Sequence, residues 1–248
     1  MHPISRRKLL AASMAAPPLS AAPRQLAREP RAGAKLKVIV CGGHPGDPEY
    51  GCGGTIARYT ELGHDVALLY LNRGEKACPE TTPNAGSAVR VPETQKACGI
   101  LKARPVFAAQ CDGQAIVDNA RYDEFRKLLE AEKPDVLLTH WPIDGHRDHR
   151  AISALAYDAW LRLDKKFAFY YYEVSNGEDT LMFSPTDYVD ISRTEPRKRA
   201  ACYAHASQTP DKFYPLQSQV TRFRGVESGY AQAESFIRHL QSRGGVLP

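Results

Sequence analysis

The fold is decided by residues 36–62, which read LKVIVCGGHPGDPEYGCGGTIARYTEL. Residues 36–41 are mostly β-branched or apolar and predict a short buried strand, whereas residues 52–62 predict a helix. The loop between them is rich in glycine and proline and carries His44 and Asp47. Ligands of open α/β sheets bind at the loops that follow the carboxyl ends of parallel strands, so this loop is predicted to form part of a binding site.

A second polar cluster, residues 139–149, reads THWPIDGHRDH and follows the strand-like run at residues 135–138. It precedes a helix predicted from about residue 148 to residue 163, and it places His146 and His149 one helical turn apart. Either cluster alone is equally well explained as a turn that happens to contain histidine. Two such clusters at matching strand ends favour one shared site.

Strands and helices alternate through the rest of the chain. The further predicted elements are strands at residues 64–71, 105–109, 167–173 and 187–191, and helices at residues 92–101, 120–133, 195–206 and 228–241. Residues 76–89 are polar and are predicted to form a mobile loop over the site. The pattern predicts an α/β fold, a Rossmann-like doubly wound, mostly parallel sheet with helices on both faces, in one domain at residues 34–248.

The N-terminal segment, residues 1–33, accounts for the formal net charge of +5. It holds 6 of the 33 basic residues and 1 of the 28 acidic residues, which leaves 27 of each in the remaining chain. A neutral domain does not favour nucleic-acid binding. Paired arginines in the run at residues 5–10, followed by an alanine-rich stretch, predict a twin-arginine export signal with a linker and a periplasmic or extracellular location. The alternative is a disordered basic tail on a cytoplasmic protein.

No run in the sequence is long and apolar enough to predict a membrane span. The six cysteines include no Cys-x-x-Cys pair, which argues against a zinc finger or a disulfide scaffold. Export would permit disulfide formation, but the sequence does not indicate which cysteines pair.

The residue types at the two clusters suit a catalytic metal. Two histidines and one carboxylate, His44, Asp47 and His149, leave one position open for water, as expected for catalytic Zn²⁺ or another divalent transition metal. Zinc lowers the pKa of bound water and polarises a carbonyl. His146 is placed to stabilise an oxyanion or to protonate a leaving amine, and Asp148 to support a ring N–H or, equally, the N-terminus of its helix.

Several motifs resemble those of the PIG-L (LmbE-like) zinc-dependent N-deacetylase family. They are HPGDPE at 44–49, GCGGT at 51–55 and DGHRDHRA at 144–151, with further matches at Arg73-Gly-Glu75, Arg90 with Glu93, Asp112-Gly113, Tyr188-Val-Asp-Ile191 and His205-Ala-Ser-Gln208. The matches span about residues 36 to 240. The resemblance implies zinc at His44, Asp47 and His149, and removal of acetyl groups from N-acetylglucosamine-type amides.

One departure from that family lies in the first loop. The family's loop usually reads His-Pro-Asp-Asp, and its first aspartate is the general base, but this chain has Gly46 at that position. Loss of a general base typically costs about two to four decades in rate. Glu49 or Asp148 would replace it if its carboxylate reaches the attacking water.

Two hypotheses of function follow. The first is a zinc amidohydrolase acting on an N-acetylated amino sugar, a glycoconjugate or a related small acetamide, with Arg73 and Glu75 contacting the substrate and His205 lining the pocket. For Arg73 and Glu75, a solvated salt bridge without a role in substrate binding is an equally good interpretation. The second hypothesis is a metal- and sugar-binding homologue that has lost its chemistry at Gly46. The sequence leaves a homo-oligomer open.

Two other classes of enzyme are disfavoured. A dinucleotide-binding enzyme needs Gly-x-Gly-x-x-Gly after the first strand, which residues 51–56 do not supply. It also needs an acidic residue after the second strand, where residues 70–73 read YLNR. A non-haem iron oxygenase also uses two histidines and one carboxylate, but the alternating α/β pattern disfavours it by analogy of fold.

Overall fold

A computed structural model describes residues 34–75, 85–174 and 182–248 of the chain. The predicted export signal and linker at residues 1–33 lie outside the described residues, as does most of the predicted loop at residues 76–89. No helix in the described ranges is long and apolar enough to cross a membrane.

Seven strands form one sheet in the described part of the chain. They are β1 Lys37–Gly42, β2 Asp65–Tyr70, β3 Arg104–Phe107, β4 Val136–His140, β5 Ala168–Tyr172, β6 Asp187–Asp190 and β7 Ala233–Arg238. Their order across the sheet is β3-β2-β1-β4-β5-β7-β6, with β1 to β5 parallel and β7 antiparallel to its two neighbours. The order turns between β1 and β4, so the loops that follow these two strands leave the same edge of the sheet side by side.

Helices cover both faces of this sheet. They are α1 Asp47–Glu61, α2 Ala85–Leu101, α3 Asn119–Glu132, α4 Arg147–Arg162, α5 Glu195–Ala204 and α6 Pro210–Ser228. Along β1, Val38 and Val40 pack into a core with α1, α2 and α5, whereas Ile39 and Cys41 pack into a second core with α3 and α4. Alternate side chains of one buried strand therefore serve two cores, which confirms the predicted doubly wound α/β fold.

Helix α1 begins at Asp47, five residues before its predicted start, so the loop that precedes it is shorter than predicted. Its glycines lie inside the helix because neighbouring side chains occupy the space that a Cβ would need. A Cβ on Gly51 would lie 2.4 Å from the Tyr172 ring, and one on Gly54 would lie 2.5 Å from the Ile191 side chain. Close packing therefore outweighs the low helix propensity of glycine.

The predicted start of α2 at Pro92 is also wrong, because the helix begins at Ala85 and includes Pro92 in its interior. A proline there removes one backbone hydrogen bond. Burial of Ala97, Cys98 and Leu101 against the sheet offsets that cost.

The predicted closing helix at residues 228–241 is wrong as well. Helix α6 ends at Ser228, the next residue Gly229 has the left-handed φ of 81° typical of a helix C-terminus, and β7 follows. The chain reads Ala-Glu-Ser-Phe-Ile-Arg in β7, with Ala233 and Phe236 fully buried. This strand inserts between β5 and β6, so long-range pairing rather than local periodicity determines its structure.

A buried ion pair ties this last strand to the first helix. Glu234 of β7 accepts hydrogen bonds from the backbone N–H groups of Gly54 and Thr55 at 2.9 and 2.7 Å. The ammonium of Lys198 on α5 donates to the same carboxylate at 2.6 Å, and both side chains are almost fully buried. The carboxylate therefore has a charged partner and two further donors, as a buried charge requires.

Candidate active site

The loops after β1 and β4 meet above the carboxyl edge of the sheet. The Gly43 N–H donates to Nε2 of His140, the last residue of β4, at 3.1 Å. The first loop carries His44 and ends at Asp47, the first residue of α1, and the second leads to His149 in the first turn of α4. The structure thus brings together the three residues predicted as metal ligands.

The ligand atoms of these three residues form a nearly equilateral triangle. Nδ1 of His44 lies 3.2 Å from Oδ2 of Asp47 and 3.2 Å from Nε2 of His149, and the last two atoms lie 3.0 Å apart. A tetrahedral zinc ion with bonds of about 2.0–2.2 Å holds its ligand atoms roughly 3.3–3.6 Å apart. Two imidazoles and one carboxylate at this spacing fit a zinc or similar transition-metal ion within a few tenths of an ångström.

Carboxylates hold the outer nitrogen of each of these histidines. Nε2 of His44 lies 3.1 Å from Asp148 and 3.1 Å from Asp112. The Gly113 N–H donates to the same Asp148 oxygen at 2.7 Å. Such carboxylates keep the ring proton on the outer nitrogen and direct the other nitrogen at a metal. Asp148 therefore lies where the sequence predicted it, and Asp112 is a second partner.

Asp144 has the corresponding place beside His149. Its Oδ2 lies 2.9 Å from Nδ1 of His149, and its Oδ1 accepts the backbone N–H of His146 at 2.7 Å. Burial alone would lower the pKa of His149, but the carboxylates of Asp47 and Asp144 outweigh it and raise the pKa to about 9. In the metal-free protein His149 therefore carries a proton that a metal ion has to displace.

His140 is a further ring in the cluster. It stacks on His149 with ring centroids 3.9 Å apart, and its Nε2 lies 3.3 Å from Oδ2 of Asp47. Because that nitrogen accepts the Gly43 N–H, its lone pair is directed at the backbone. His140 thus fixes the first loop and packs the metal-binding ring in place.

His146 precedes α4 and lines the cavity beside the three ligands. Its ring centroid lies 4.6 Å from that of His44. Burial, followed by the charges of His44 and His149, lowers its pKa below the ordinary 6.5, so the ring is neutral at neutral pH. Its Nδ1 accepts the Asp148 N–H, which leaves the proton on Nε2. His146 can therefore donate a hydrogen bond to a substrate oxygen.

A cavity of about 470 Å³ opens above this cluster. Its polar lining residues include Asp112, His146 and Arg90. Its apolar lining residues include Tyr50, Val174, Phe213 and Leu216. The volume suits a small molecule, and the polar groups converge where the metal would be.

Gly46 and His205 face each other in the same cavity. Gly46 has a φ of 110°, and a Cβ built on it would lie 3.8 Å from Cδ2 of His205 and 3.9 Å from the Tyr50 ring, which are ordinary contact distances. His205 is fully buried and its Nε2 lies 3.0 Å from Oε1 of Glu49, which also accepts the Tyr70 hydroxyl at 2.8 Å. Glu49 is therefore a buried partner of His205 and is not among the residues that line the cavity.

The two predicted substrate contacts from the second strand lie elsewhere. The Arg73 guanidinium packs over the Phe107 ring at 5.4 Å, and its backbone N–H donates to Glu75, which is buried. Neither side chain is among those that line the cavity in the described part of the chain.

Several site residues were given no role from the sequence, namely His140, Asp112, Asp144, Tyr50 and Arg90. His140 ends an apolar strand, and the only sequence signal is that its position is the carboxyl end of β4. Asp144 lies five residues before His149, where its side chain reaches back to the ring. The motif matches included Arg90 and Asp112 without assigning a function to either.

Comparison with known proteins agrees with this geometry. Residues 39–160 match the PIG-L family model, described as GlcNAc-PI de-N-acetylase. This range contains both clusters. The chain belongs to the PIG-L family. The resemblance stated from the sequence motifs is thereby confirmed.

The relatives of this PIG-L chain include deacetylases of N-acetylated sugars. It is 26% identical over 216 residues to the diacetylchitobiose deacetylase of Thermococcus kodakarensis, covering 80% of this chain and 81% of that protein. The crystal structure of a conserved Thermus thermophilus protein superposes with a TM-score of 0.73 at 26% identity, covering 86% of this chain and 99% of the other.

The fold extends beyond deacetylases. GalB, the 4-carboxy-2-hydroxymuconate hydratase of Pseudomonas putida, superposes with a TM-score of 0.74 at 20% identity and covers 86% of this PIG-L chain and 100% of its own. The fold alone therefore does not determine the reaction, which has to be argued from the residues of the site.

Proposed function

We propose that this PIG-L protein is a zinc-dependent hydrolase that removes the acetyl group from an N-acetylated amino sugar or glycoconjugate of the N-acetylglucosamine type. The observation that carries the proposal is the triangle of His44, Asp47 and His149 at the floor of a cavity of about 470 Å³. The deacetylase relatives support the reaction, and the nitrogen and oxygen ligand set supports zinc, with another divalent transition metal as the alternative.

A metal ion held by His44, Asp47 and His149 would supply Lewis-acid chemistry, polarising a carbonyl and lowering the pKa of water. The other steps fall to the protein. Asp148 and Asp144 hold the outer ring nitrogens of His44 and His149, so both rings keep one orientation. His146, neutral and with its proton on Nε2, donates to the oxygen that becomes negative as the acetyl carbon turns tetrahedral.

The alternative is a homologue that binds metal and sugar but turns over slowly. The observation that favours it is Gly46, which has no side chain at the position where the family has its general-base aspartate. The reaction then lacks a group that removes a proton from the attacking water. The two proposals share the same metal site and differ only in whether a second group supplies that base.

We also propose that the protein is exported through its N-terminal arginine pair. Cys111 is disulfide-bonded, whereas Cys41, Cys52, Cys98 and Cys202 are free. A structural disulfide is typical of an oxidising compartment and supports export. A reporter fused to residues 1–33 tests the proposal: export should be lost when both arginines of the pair are changed to lysine, and a cytoplasmic reporter before any change would refute it.

The function is tested by measuring bound metal by elemental analysis and amine release from a panel of N-acetylated sugars. A hydrolase should bind about one zinc per chain, and His149→Ala should lose both metal and turnover. Asp164→Ala, a change of an exposed side chain after α4, is the matched control and should retain both. Failure to bind metal under zinc-replete conditions would refute both proposals.

The Gly46→Asp variant separates the hydrolase from the binding homologue. In the impaired homologue this change should raise amine release by about 10²–10⁴-fold, because it restores a general base. In a hydrolase that already has a base, the rate should change little. Gly46→Asn is the control, since it adds the same bulk and backbone strain at φ 110° without a basic group.

A further inference from the structure

We propose that His205, held by Glu49, is the general base of this protein and replaces the aspartate that the chain lacks at Gly46. The inference rests on the proposed deacetylase function. It identifies a catalytic residue for that reaction from three observations: where His205 lies, which atoms hold its ring, and which of its atoms has no partner.

The position of His205 is the first observation. A Cβ on Gly46 would lie 3.8 Å from Cδ2 and 3.9 Å from Cγ of His205, so the imidazole borders the space that a side chain at residue 46 would enter. Both residues line the cavity above His44 and His149. A base there shares the cavity with His44 and His149 without occupying a metal ligand position.

The second observation is the way the ring is held. Nε2 of His205 lies 3.0 Å from Oε1 of Glu49, and both side chains are fully buried. The Tyr70 hydroxyl donates to the same oxygen at 2.8 Å and fixes the carboxylate. A buried carboxylate that accepts one imidazole N–H leaves the other nitrogen free to take a proton, and it stabilises the imidazolium that results.

The third observation is that Nδ1 of His205 is buried and has no hydrogen-bond partner within the protein. A buried polar atom without a partner is uncommon, and here it is the ring atom that can still accept a proton. Asp148 and Glu49, the two carboxylates considered from the sequence, each bind through one oxygen, to His44 and Gly113 and to Tyr70 and His205 respectively, and neither is among the residues that line the cavity. Glu49 thus acts through His205 as a positioning residue.

The step balances without another reactant. Nδ1 of His205 takes a proton from the attacking water as the water oxygen bonds to the acetyl carbon, and His146 donates a hydrogen bond to the carbonyl oxygen. The carbon–nitrogen bond then breaks, and the imidazolium returns its proton to the nitrogen. Acetic acid and a free amine leave, and His205 is neutral again.

The experiment is a double-mutant cycle between residues 205 and 46 in the zinc-loaded full chain, with kcat and KM measured for an N-acetylated sugar that the panel identifies. We expect His205→Ala to lower kcat by about 10²–10⁴-fold with little change in KM. We expect Gly46→Asp to give no gain in rate in the wild-type background, but to raise the rate of the His205→Ala protein at least about a hundredfold.

Two controls separate catalysis from structure. Adding Gly46→Asn to His205→Ala introduces the same bulk and strain and should not restore turnover. The pH profile of kcat should differ between the wild type and the His205→Ala/Gly46→Asp protein, because a carboxylate has replaced an imidazole as the base. Circular dichroism and bound zinc report whether each variant is folded.

Three results would overturn the proposal. Turnover of His205→Ala within tenfold of wild type would show that the base is another group, and equal rescue by asparagine and aspartate at residue 46 would show a structural effect. Turnover by Gly46→Asp but not by the wild type would overturn the role of His205 as general base, but it would leave the proposed deacetylase function standing. Absence of turnover in every variant would overturn the proposed function together with this inference.

Discussion

The Asp144 carboxylate is expected to decide how tightly His149 binds a metal ion. Its two oxygens serve two donors, Nδ1 of His149 at 2.9 Å and the N–H of His146 at 2.7 Å. An asparagine side chain offers one acceptor oxygen, because its amide nitrogen only donates, so Asp144→Asn leaves one donor without a partner. We expect metal affinity to fall by about 10–100-fold, as for other groups that orient metal-binding histidines.

The measured loss should depend on pH. Although burial lowers the pKa of His149, Asp47 and Asp144 raise it to about 9 in the metal-free protein. At pH 7 the metal has to displace a proton, which weakens wild-type binding about a hundredfold, or about 2.7 kcal/mol. Asp144→Asn removes one of the two carboxylates, so the variant loses less affinity to protons. The difference in metal affinity between the wild type and Asp144→Asn should therefore be largest above pH 9 and smaller at pH 7.

Competition with a chromophoric zinc chelator at about pH 7 and about pH 9.5 measures both quantities. Asp164→Asn, at a side chain that is 81% exposed, is the control and should bind zinc as the wild type does. Equal affinities of Asp144→Asn and wild type at the higher pH would refute the orienting role of Asp144. A loss of the same size at both pH values would show that Asp144 does not raise the pKa of His149.

Three further changes test the fold. Lys198→Met leaves the Glu234 carboxylate buried without its cation and should lower the free energy of unfolding by about 3–5 kcal/mol in urea titrations, whereas an unchanged midpoint would show that the pair is not buried in solution. Gly54→Ala places a Cβ 2.5 Å from Ile191 and should cost about 1–3 kcal/mol, measured as a lower Tm; an unchanged Tm would contradict the close packing of α1. Reduction of the Cys111 disulfide should raise the intact mass of the wild type by two hydrogens and leave the mass of Cys111→Ser unchanged. The Cys111→Ser protein should also be less stable than the wild type by about 2–4 kcal/mol. An unchanged wild-type mass would contradict the disulfide.

The strands that are buried on both faces of the sheet can be predicted from the sequence. Strands β1, β2, β4 and β5 are runs of apolar residues, and each was predicted to within two residues of its observed ends. Helix α1 begins earlier than predicted because Gly51 and Gly54 meet side chains far along the chain, which local propensity does not report. The same limit applies to residues 233–238, whose strand structure depends on pairing with both β5 and β6.

The three candidate ligands could be placed together from the sequence because His44, Asp47 and His149 lie in the segments that follow β1 and β4, which are adjacent in the sheet. The partners of these ligands were harder to predict. Asp112 approaches His44 only through the path that the chain takes after β3, and no periodicity specifies that path. His205 contacts Glu49 across 156 positions of sequence, so its place in the cavity required the packing of α1 against α5.

The location of β7 has a consequence for the order in which the parts of the fold are completed during synthesis. Helix α1, which begins at the candidate ligand Asp47, has its Gly54 and Thr55 N–H groups bonded by Glu234 of β7, which follows them by 180 and 179 positions in the chain. Because a chain is made from its N-terminus, α1, β1 and β4 emerge from the ribosome well before β7. The sheet therefore stays open between β5 and β6 until β7 has been made. The helix that begins at a candidate ligand is thus completed by a strand that is synthesised long after it.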